Sequence, residues 1–345
     1  MSDLALYRKY RPQNWKEVKG QEHIVSVLVK TIADDKVAHA YLFTGPRGTG
    51  KTSIARIVAR ELETSANDLY EIDGASHNGV DHIRELREKV RTLPFDSKYK
   101  VYIIDEVHML STAAFNALLK TLEEPPAHVI FVLATTELHK VPDTIVSRCQ
   151  TFSFQKPSQE ILRELVVATA KKEGFKLEPS AASLIALLGD GAYRDTYGVL
   201  QKVLAGVTGD KVGLDDVVRV TGSPRAELVR ELLRAVLAKD CEKAVVAVRN
   251  AVKENIEMGV FVKMLLREVR TALLATFAPV LKAEIDAELS LDEQTFQEVL
   301  RKGVGSSITS AFLKELLEVE QAVDRAYIPE LPLELALVKL LGERK

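Results

Sequence analysis

Three short apolar runs lie in the first half of the chain, and each ends in polar or glycine residues. They are AYLFT at 40–44, VYII at 101–104 and VIFVLA at 129–134. Because these runs are apolar throughout rather than at alternate positions, they predict strands covered on both faces, as in a parallel sheet. Helical spacing between them predicts four helices, over 21–33, 51–63, 80–91 and 112–123. Strands that alternate with helices predict an α/β domain over residues 1–156.

The pattern after residue 156 is helical. Helices are predicted over 158–173, 180–188 and 193–205, with glycine-containing breaks between them, so residues 157–222 form a small helical domain. Ser223-Pro224 marks the next boundary. Beyond it, apolar residues recur at helical spacing, as in Leu228, Leu232 and Val236. An all-helical domain over 223–345 follows.

Composition excludes several classes of protein. Apolar residues make up 46 % and charged residues 28 %, values typical of soluble globular proteins rather than disordered or fibrous ones. No apolar run approaches the roughly 20 residues needed to cross a bilayer, and the polar, basic N-terminus predicts no signal peptide. The two cysteines, Cys149 and Cys241, are far apart in sequence. This usage favours a reducing cytoplasm and argues against a cysteine-based zinc site.

Positive charge is concentrated near the N-terminus. The whole chain has a formal net charge of −2, yet residues 1–60 contain eleven Lys/Arg against five Asp/Glu. A polyanionic ligand is therefore expected to bind locally, in the N-terminal part, rather than along the whole surface.

A phosphate-binding pattern directly follows the first predicted strand and opens a helix. Its residues are Gly45, Pro46, Arg47, Gly48, Thr49, Gly50, Lys51 and Thr52, which fit G-x-x-x-x-G-K-[ST]. A glycine-rich turn can match by chance, but a strand before it and a helix after it supply the context that phosphate binding needs. The backbone N–H groups and helix N-terminus would face the phosphates, with Lys51 on the β- and γ-phosphates and Thr52 on Mg²⁺.

Polar residues also end the other two predicted strands. Asp105 and Glu106 follow VYII, where Asp105 can serve the metal and Glu106 can polarise an attacking water. Thr135 and Thr136 end the third strand, and one of these hydroxyls could contact the γ-phosphate or the water. Since the carboxyl ends of parallel strands share one edge, these residues are expected to lie beside the phosphate loop.

Taken together, these stretches resemble the AAA+ ATPases of clamp loaders, in particular the gamma/tau subunits of bacterial DNA polymerase III. The resemblance is dense over residues 4–155 and looser over 156–222, where GAYRD at 191–195 carries it. The matching stretches are LALYRKYRPQNWKEVKGQEHI, HAYLFTGPRGTGKTSIAR, EIDGASHNGVDHIRELRE, KVYIIDEVHMLSTAAFNALLKTLEEPP and FVLATTELHKVPDTIVSRCQTF. It implies an AAA+ P-loop domain with a parallel sheet, a helical lid and an all-α collar.

The resemblance also implies roles for particular residues. Thr136, or less favourably Thr135, would sense the γ-phosphate, and Arg194 would contact it from the lid of the same subunit. Arg148, in Ser-Arg-Cys, would be an arginine finger acting on ATP held by a neighbouring subunit; an isolated arginine would otherwise be explained by a surface ion pair. The segment that packs over the nucleotide base contributes Tyr7, Arg11, Pro12 and Val18.

The implied function is ATP-dependent loading of a sliding clamp onto primed DNA, with ATP and Mg²⁺ bound. The implied partners are the other subunits of a hetero-pentamer-like clamp loader, the clamp, primed DNA and the polymerase core, and no membrane. DNA would be held through its phosphates near residues 77–84 and Ser111–Thr112. No polymerase chemistry is expected of the chain itself.

The chain departs from the family pattern in one place. No cysteines lie between the phosphate-loop helix and the EID segment at 71–73, where the family carries a zinc module, so no zinc is expected. The length of the sequence resembles that of the gamma form, so the extension of the tau form is not expected.

Other functions remain open from the sequence. A replication factor C small-subunit-like clamp loader lacks the zinc module too. Asp105-Glu106-Val107-His108 also fits the DExH string of helicases, which would require a second α/β motor domain. A clamp-loader scaffold that does not hydrolyse ATP is a further alternative.

Overall fold

The computed structural model describes residues 4–76, 79–289 and 291–342. The chain divides into two compact units. The first contains residues up to 176 together with 185–201, and the second contains 177–184 together with the residues from 202 onward. This division falls within two helices, and the domain boundaries expected at 156/157 and 222/223 stay a prediction.

A five-stranded sheet forms the centre of the first unit. In the order β2-β3-β4-β1-β5, every neighbouring pair is parallel, which confirms the predicted sheet. The pairing places Thr44 beside Thr135 and Asp73 beside Asp105, so the polar carboxyl ends of the strands meet at one edge. The strands are β1 Ala40–Thr44, β2 Leu69–Asp73, β3 Lys100–Asp105, β4 Val129–Thr135 and β5 Gln150–Ser153.

Helices cover both faces of this sheet. Alternate residues of the central strands point to opposite faces, so Tyr41 and Phe43 pack with α2 and α3, whereas Leu42, Tyr102 and Phe131 pack with α4 and α5. The helices are α1 Leu6–Lys9, α2 Glu22–Ala33, α3 Lys51–Glu61, α4 Val80–Val90, α5 Thr112–Glu123, α6 Asp143–Val146 and α7 Gln159–Lys172, with short 3₁₀ turns at Trp15–Glu17, Val107–Met109 and Leu138–Lys140.

Two strands of this five-stranded sheet, β2 and β5, went unpredicted, and both lie at its edges. Their sequences, LYEID and QTFS, mix polar with apolar residues, and most of their side chains are partly or fully exposed. An edge strand has a neighbour on one side alone and keeps solvent contact, so it lacks the continuous apolar run that reveals a central strand.

The second unit is helical, as predicted. Its core is apolar, with Leu232, Phe261, Leu265, Leu316 and Leu337 fully buried. After α8 Pro179–Leu188 and α9 Tyr193–Gly206 come α10 Leu214–Thr221, α11 Ala226–Leu237, α12 Cys241–Lys253, α13 Met258–Phe277, α14 Pro279–Glu288, α15 Leu291–Lys302, α16 Ser310–Val323 and α17 Leu331–Leu341; a two-stranded sheet joins β6 Lys176–Leu177 and β7 Lys211–Val212. Across all the residues described, no helix combines the length and the apolar character needed to cross a membrane.

Candidate nucleotide-binding site

The glycine-rich loop connects the buried strand β1 to α3, and three of its glycines have positive φ. Gly45, Gly48 and Gly50 have φ of 139°, 74° and 103°. L-residues with side chains rarely adopt these angles. A Cβ at Gly45 would also collide with the carbonyl oxygen of Phe154, and one at Gly48 would lie 2.8 Å from Cβ of Ala192. The glycines therefore allow the loop to curl tightly against its neighbours.

Lys51 begins α3 and is 6 % exposed. Its Nζ donates to the carbonyl oxygens of Gly45, at 2.7 Å, and Pro46, at 2.8 Å. Burial lowers the pKa of Lys51, although the nearby carboxylates of Glu106 and Asp105 act in the opposite direction. The loop thus holds a buried ammonium group beside the first backbone N–H groups of a helix, which is the arrangement that binds phosphate.

Oxygen ligands suited to a magnesium ion lie next to this lysine. Thr52 Oγ1 donates to Asp105 Oδ2 at 2.8 Å, which joins the start of α3 to the end of β3. A carboxylate and a hydroxyl are the hard oxygen donors that Mg²⁺ takes together with phosphate oxygens. The residues present therefore fit the ion that the sequence predicts.

Glu106 follows Asp105 in a left-handed conformation, with φ 47° and ψ 46°. This turn sends its carboxylate toward the end of β4, where Thr136 Oγ1 donates to Glu106 Oε2 at 3.1 Å. Thr135, by contrast, is fully buried, and its hydroxyl lies 3.0 Å from His108 Nδ1. Of the two threonines, the geometry brings Thr136 to the acidic pair.

A cavity opens above the loop and is walled by the N-terminal segment and α9. Its lining includes Tyr7, Tyr10, Arg11, Pro12, Glu17, Val18, Lys19, Gln21, residues 47–54, Asp105, Glu106, Leu165, Tyr193, Arg194 and Tyr197. The wall is closely packed. Tyr10 stacks on Tyr197 with ring centroids 6.2 Å apart, and the Tyr193 hydroxyl donates to the carbonyl of Lys19. Aromatic and aliphatic walls above a phosphate loop suit a planar base.

Positive charge dominates one side of this cavity. Burial lowers the pKa of Arg11, and the charges of Arg56 and Arg194 lower it further. The Arg194 guanidinium lies 5.6 Å from the ring centroid of Tyr7, which it faces in a cation–π contact. Repulsion between neighbouring guanidinium groups disfavours their charged forms, and a bound anion would offset this repulsion. The positive side of the cavity therefore suits a polyphosphate.

The remaining predicted residues lie outside the cavity wall. Gly45 and Pro46 lie behind Lys51 and accept its hydrogen bonds, and Thr136 reaches the site through Glu106. Arg148 lies apart, just after α6, where Nη2 is 2.8 Å from Glu123 Oε1 and Nη1 donates to the Thr144 carbonyl at 2.8 Å. Its side chain is 34 % exposed, so it is a surface residue in an ion pair.

Comparison with known proteins shows that this chain is similar to subunits of DNA polymerase III. Residues 20–76 and 63–158 match the model of the DNA polymerase III delta subunit, and residues 212–344 match that of domain III of DNA polymerase III subunits gamma and tau. The chain is 36 % identical to DNA polymerase III subunit tau of Bacillus subtilis over 99 % of its own length and 63 % of that protein. The chain belongs to the gamma/tau family of DNA polymerase III subunits.

Other members of the family are similar at comparable levels. Subunit gamma/tau of Mycobacterium tuberculosis is 36 % identical, with 92 % of this chain and 61 % of that protein aligned. Subunit tau of Escherichia coli is 34 % identical, with 87 % and 50 % aligned. The chain thus spans between half and two thirds of the length of these relatives.

Solved structures support the fold. The Holliday junction branch migration motor RuvB of Thermotoga maritima superposes with a TM-score of 0.54 over 66 % of this chain and 79 % of that one, at 23 % identity. At this identity the match establishes the arrangement of sheet and helices and nothing about activity.

Several site residues escaped the sequence analysis. Tyr10, Tyr193 and Tyr197 form the cavity wall, and no local pattern distinguishes them from ordinary core aromatics. His108 was part of the DExH string, and its position two residues after Glu106 is the signal that could have singled it out. Glu123, the ion-pair partner of Arg148, carries no local signal, since it is one acid on an exposed helix face.

Two further predictions concern the residues that would contact DNA and the absence of zinc. Of the expected DNA contacts at 77–84, residues 77 and 78 lie outside the described residues; Ser111 caps α5, its Oγ accepting the N–H of Ala114 at 3.2 Å. Within the described parts of the chain, no three His, Cys, Asp or Glu side chains gather as a metal site, and Cys149 and Cys241 are free. The expected absence of zinc stays a prediction.

Proposed function

We propose that this chain is an ATP-hydrolysing motor subunit of a clamp loader, working with the other clamp-loader subunits and the polymerase core to load a sliding clamp onto primed DNA. The observation that carries this proposal is the cavity that brings Lys51, the Thr52–Asp105 pair and Glu106 together beneath an aromatic and cationic wall. Membership of the gamma/tau family supports it.

The phosphate loop would hold the triphosphate of ATP. Lys51 would exchange its two carbonyl partners for β- and γ-phosphate oxygens, which relieves the cost of burying its charge. Thr52 and Asp105 would hold Mg²⁺, whose charge offsets that of the phosphates and makes the γ-phosphorus more electrophilic. Tyr7, Arg11, Pro12 and Val18 border the part of the cavity that would take the nucleoside.

The acidic side of the cavity would drive the reaction. Glu106 would accept a proton from the attacking water, and the Thr136 hydroxyl would hold the Glu106 carboxylate in place. Arg194, released from Tyr7, would reach the γ-phosphate of the same chain and couple α9 to the nucleotide. Charge would thus be stabilised where it develops in the transition state.

Arg148 would act on a neighbouring subunit. Its ion pair with Glu123 lies at the surface, and such pairs contribute about 0–1 kcal/mol. A γ-phosphate carries more negative charge and is less solvated at an interface, so it would compete successfully for the guanidinium. Supplied in trans, an arginine accelerates phosphoryl transfer by about 10³ to 10⁵. Hydrolysis would then depend on assembly, and the loss of the γ-phosphate would release the clamp and DNA.

A mixing experiment tests both the motor and the shared site. Assemblies made with Lys51→Ala alone have fingers but no bound ATP, and assemblies made with Arg148→Ala alone have ATP but no fingers. We expect both to be inactive with clamp and primed DNA, and the mixture to regain hydrolysis where an intact site faces an intact finger. Arg219→Ala, which breaks another exposed ion pair, with Asp216 at 2.9 Å, is the matched control and stays fully active.

Two outcomes would overturn parts of the proposal. A mixture as inactive as its components would refute action in trans. A wild-type complex that hydrolyses no ATP would refute the motor itself and favour the scaffold alternative. The helicase alternative gains no support, because the described residues from 226 to 341 form helices rather than a second strand–helix motor.

A further inference from the structure

A buried histidine links the two strands that carry the acidic pair and the sensor threonine. His108 lies in the 3₁₀ turn Val107–Met109 after β3, and its side chain is 6 % exposed. Its Nδ1 lies 3.0 Å from Thr135 Oγ1, and its Nε2 lies 3.1 Å from Glu137 Oε2. One ring therefore contacts both residues that flank Thr136.

The polar groups around the ring can all be paired. The Thr135 hydroxyl oxygen accepts the N–H of Glu137 at 3.0 Å, and its own O–H can donate to His108 Nδ1. In the tautomer with its hydrogen on Nε2, the imidazole donates to the Glu137 carboxylate. Each polar atom of this buried link then has a partner, so the turn at 135–137 is fixed against the end of β3.

This link determines where Thr136 points. Thr135 and Glu137 contact the histidine, and the intervening Thr136 donates its hydroxyl to Glu106 Oε2 at 3.1 Å. The same carboxylate oxygen lies 3.4 Å from His108 Nδ1, which already has Thr135 as a partner. Thr136 thus supplies the hydrogen bond that orients Glu106, and His108 holds Thr136.

We propose that His108 is a positioning residue for ATP hydrolysis, which aligns Glu106 by clamping the residues on both sides of Thr136. This inference rests on the proposed function. It assigns His108 no contact with nucleotide and no proton transfer. Because the link lies behind the acidic pair rather than in the cavity wall, its loss is expected to misplace the base without removing any group that binds ATP.

The test is a kinetic comparison of His108→Ala with wild type in the assembled complex. We expect kcat to fall by about 10²-fold, the scale of a catalytic group misplaced by about 1 Å, while KM for ATP and nucleotide binding stay at wild-type values. His108→Gln keeps a donor for Glu137 and is expected to recover part of kcat. His139→Ala is the matched control: its side chain is 74 % exposed and 3.8 Å from Glu137, and kcat stays unchanged.

A double-mutant cycle separates positioning from general loss of structure. In a Thr136→Val background the hydroxyl that orients Glu106 is already absent, so adding His108→Ala is expected to lower kcat little further. If His108→Ala does not fold, Glu137→Ala breaks the same link at a side chain that is 36 % exposed and is expected to reproduce the loss of kcat.

The outcomes distinguish this inference from the motor function. Three outcomes would overturn the positioning role and leave the motor intact, provided that the wild type is active. They are an unchanged kcat in His108→Ala, a rise in KM alone, and a full 10²-fold loss of kcat when His108→Ala is added to Thr136→Val. A wild-type complex without hydrolysis would overturn both.

Discussion

The cores of the two units differ in how many polar groups they bury. Among the described residues, the α/β unit buries ten polar ones, and four of these, Thr44, Thr49, Lys51 and Thr135, lie at the carboxyl edge of the sheet; the helical unit buries two, Ser223 and Gln297. Burying a polar group without a partner costs about 1–3 kcal/mol, so a cluster of them requires compensation from many specific contacts. The four at the carboxyl edge adjoin the candidate nucleotide-binding cavity, whereas the core of the helical unit is almost wholly apolar, as in a scaffold.

The largest expected effect separates the two cores. Phe261→Ala removes a fully buried ring from the helical unit and is expected to lower the free energy of unfolding by about 3–5 kcal/mol. Nucleotide affinity is expected to stay unchanged, because the site lies wholly in the other unit. Denaturant unfolding and nucleotide titration measure the two quantities. Phe277→Ala, which removes a ring that is 75 % exposed, is the control. A loss of nucleotide affinity in Phe261→Ala but not in this control would contradict the idea that the helical core does not affect the site.

The next effect tests a buried charge of the α/β unit. Burial would raise the pKa of Asp68, but hydrogen bonds to its carboxylate outweigh this and lower the pKa from 3.8 to about 2; the donors are Phe95, Asp96, Ser97 and Ser65. A lowered pKa stabilises the fold above the unfolded value, and the contribution is lost as pH falls from about 4 to about 2. Asp68→Asn is expected to cost about 2 kcal/mol at pH 7.

Unfolding curves recorded across pH check this. The free energies of wild type and Asp68→Asn are expected to converge as the pH falls below the folded-state pKa of about 2, where the carboxylate becomes protonated in both states. Asp96→Asn, whose carboxylate is exposed, is expected to follow wild type at every pH. A difference between wild type and Asp68→Asn that persisted at low pH would point to lost packing instead.

A smaller effect is expected at the glycine-rich loop. Gly48→Ala forces a side chain into a φ of 74° and against Ala192, at a cost of about 1–2 kcal/mol, and displaces the start of α9 that carries Arg194. We expect ATP affinity to fall by about tenfold. Gly209→Ala, at φ 103° with no atom within 4 Å, carries the strain without the collision and keeps full affinity. Equal losses in both would show that strain alone is responsible.

The smallest effect concerns the exposed ion pair. Glu123→Gln frees Arg148 and is expected to change the free energy of unfolding by less than about 1 kcal/mol. Under the proposed action of Arg148 in trans, hydrolysis in the assembled complex is expected to stay equal or rise, because the guanidinium no longer has to leave a partner in its own chain. Glu124→Gln, one residue along, serves as the comparison. A clear fall in hydrolysis with Glu123→Gln would show that this acid itself serves the neighbouring site.

Prediction from sequence succeeded best where burial is complete. The run AYLFT at 40–44 matched β1, because a strand covered on both faces must be apolar at each position. It failed at the edge strands β2 and β5, whose mixed composition reflects solvent on one side. The phosphate loop was recognisable from sequence because its glycines are required by the local backbone conformation, in which three of them have positive φ.

The rest of the site depends on residues that are distant along the chain. Tyr7 faces Arg194, and Tyr10 meets Tyr197, through contacts that no spacing in the sequence encodes. The resemblance favoured Thr136 over Thr135, and the structure adds a physical reason: Thr135 contacts the ring of His108, whereas Thr136 donates to Glu106.

By itself the sequence determined the alternation of strands and helices, the glycine-rich phosphate-loop pattern and the resemblance to gamma/tau subunits of DNA polymerase III, because periodicity, glycine geometry and long matching stretches are local properties of a chain. The tertiary structure alone decided which strands lie at the edges, which threonine orients Glu106, and that Arg148 rests on Glu123. These three features depend on strand pairing and side-chain packing between residues far apart in sequence. The stabilising free energy is there divided among many contacts, so no single residue type in the sequence reveals the outcome.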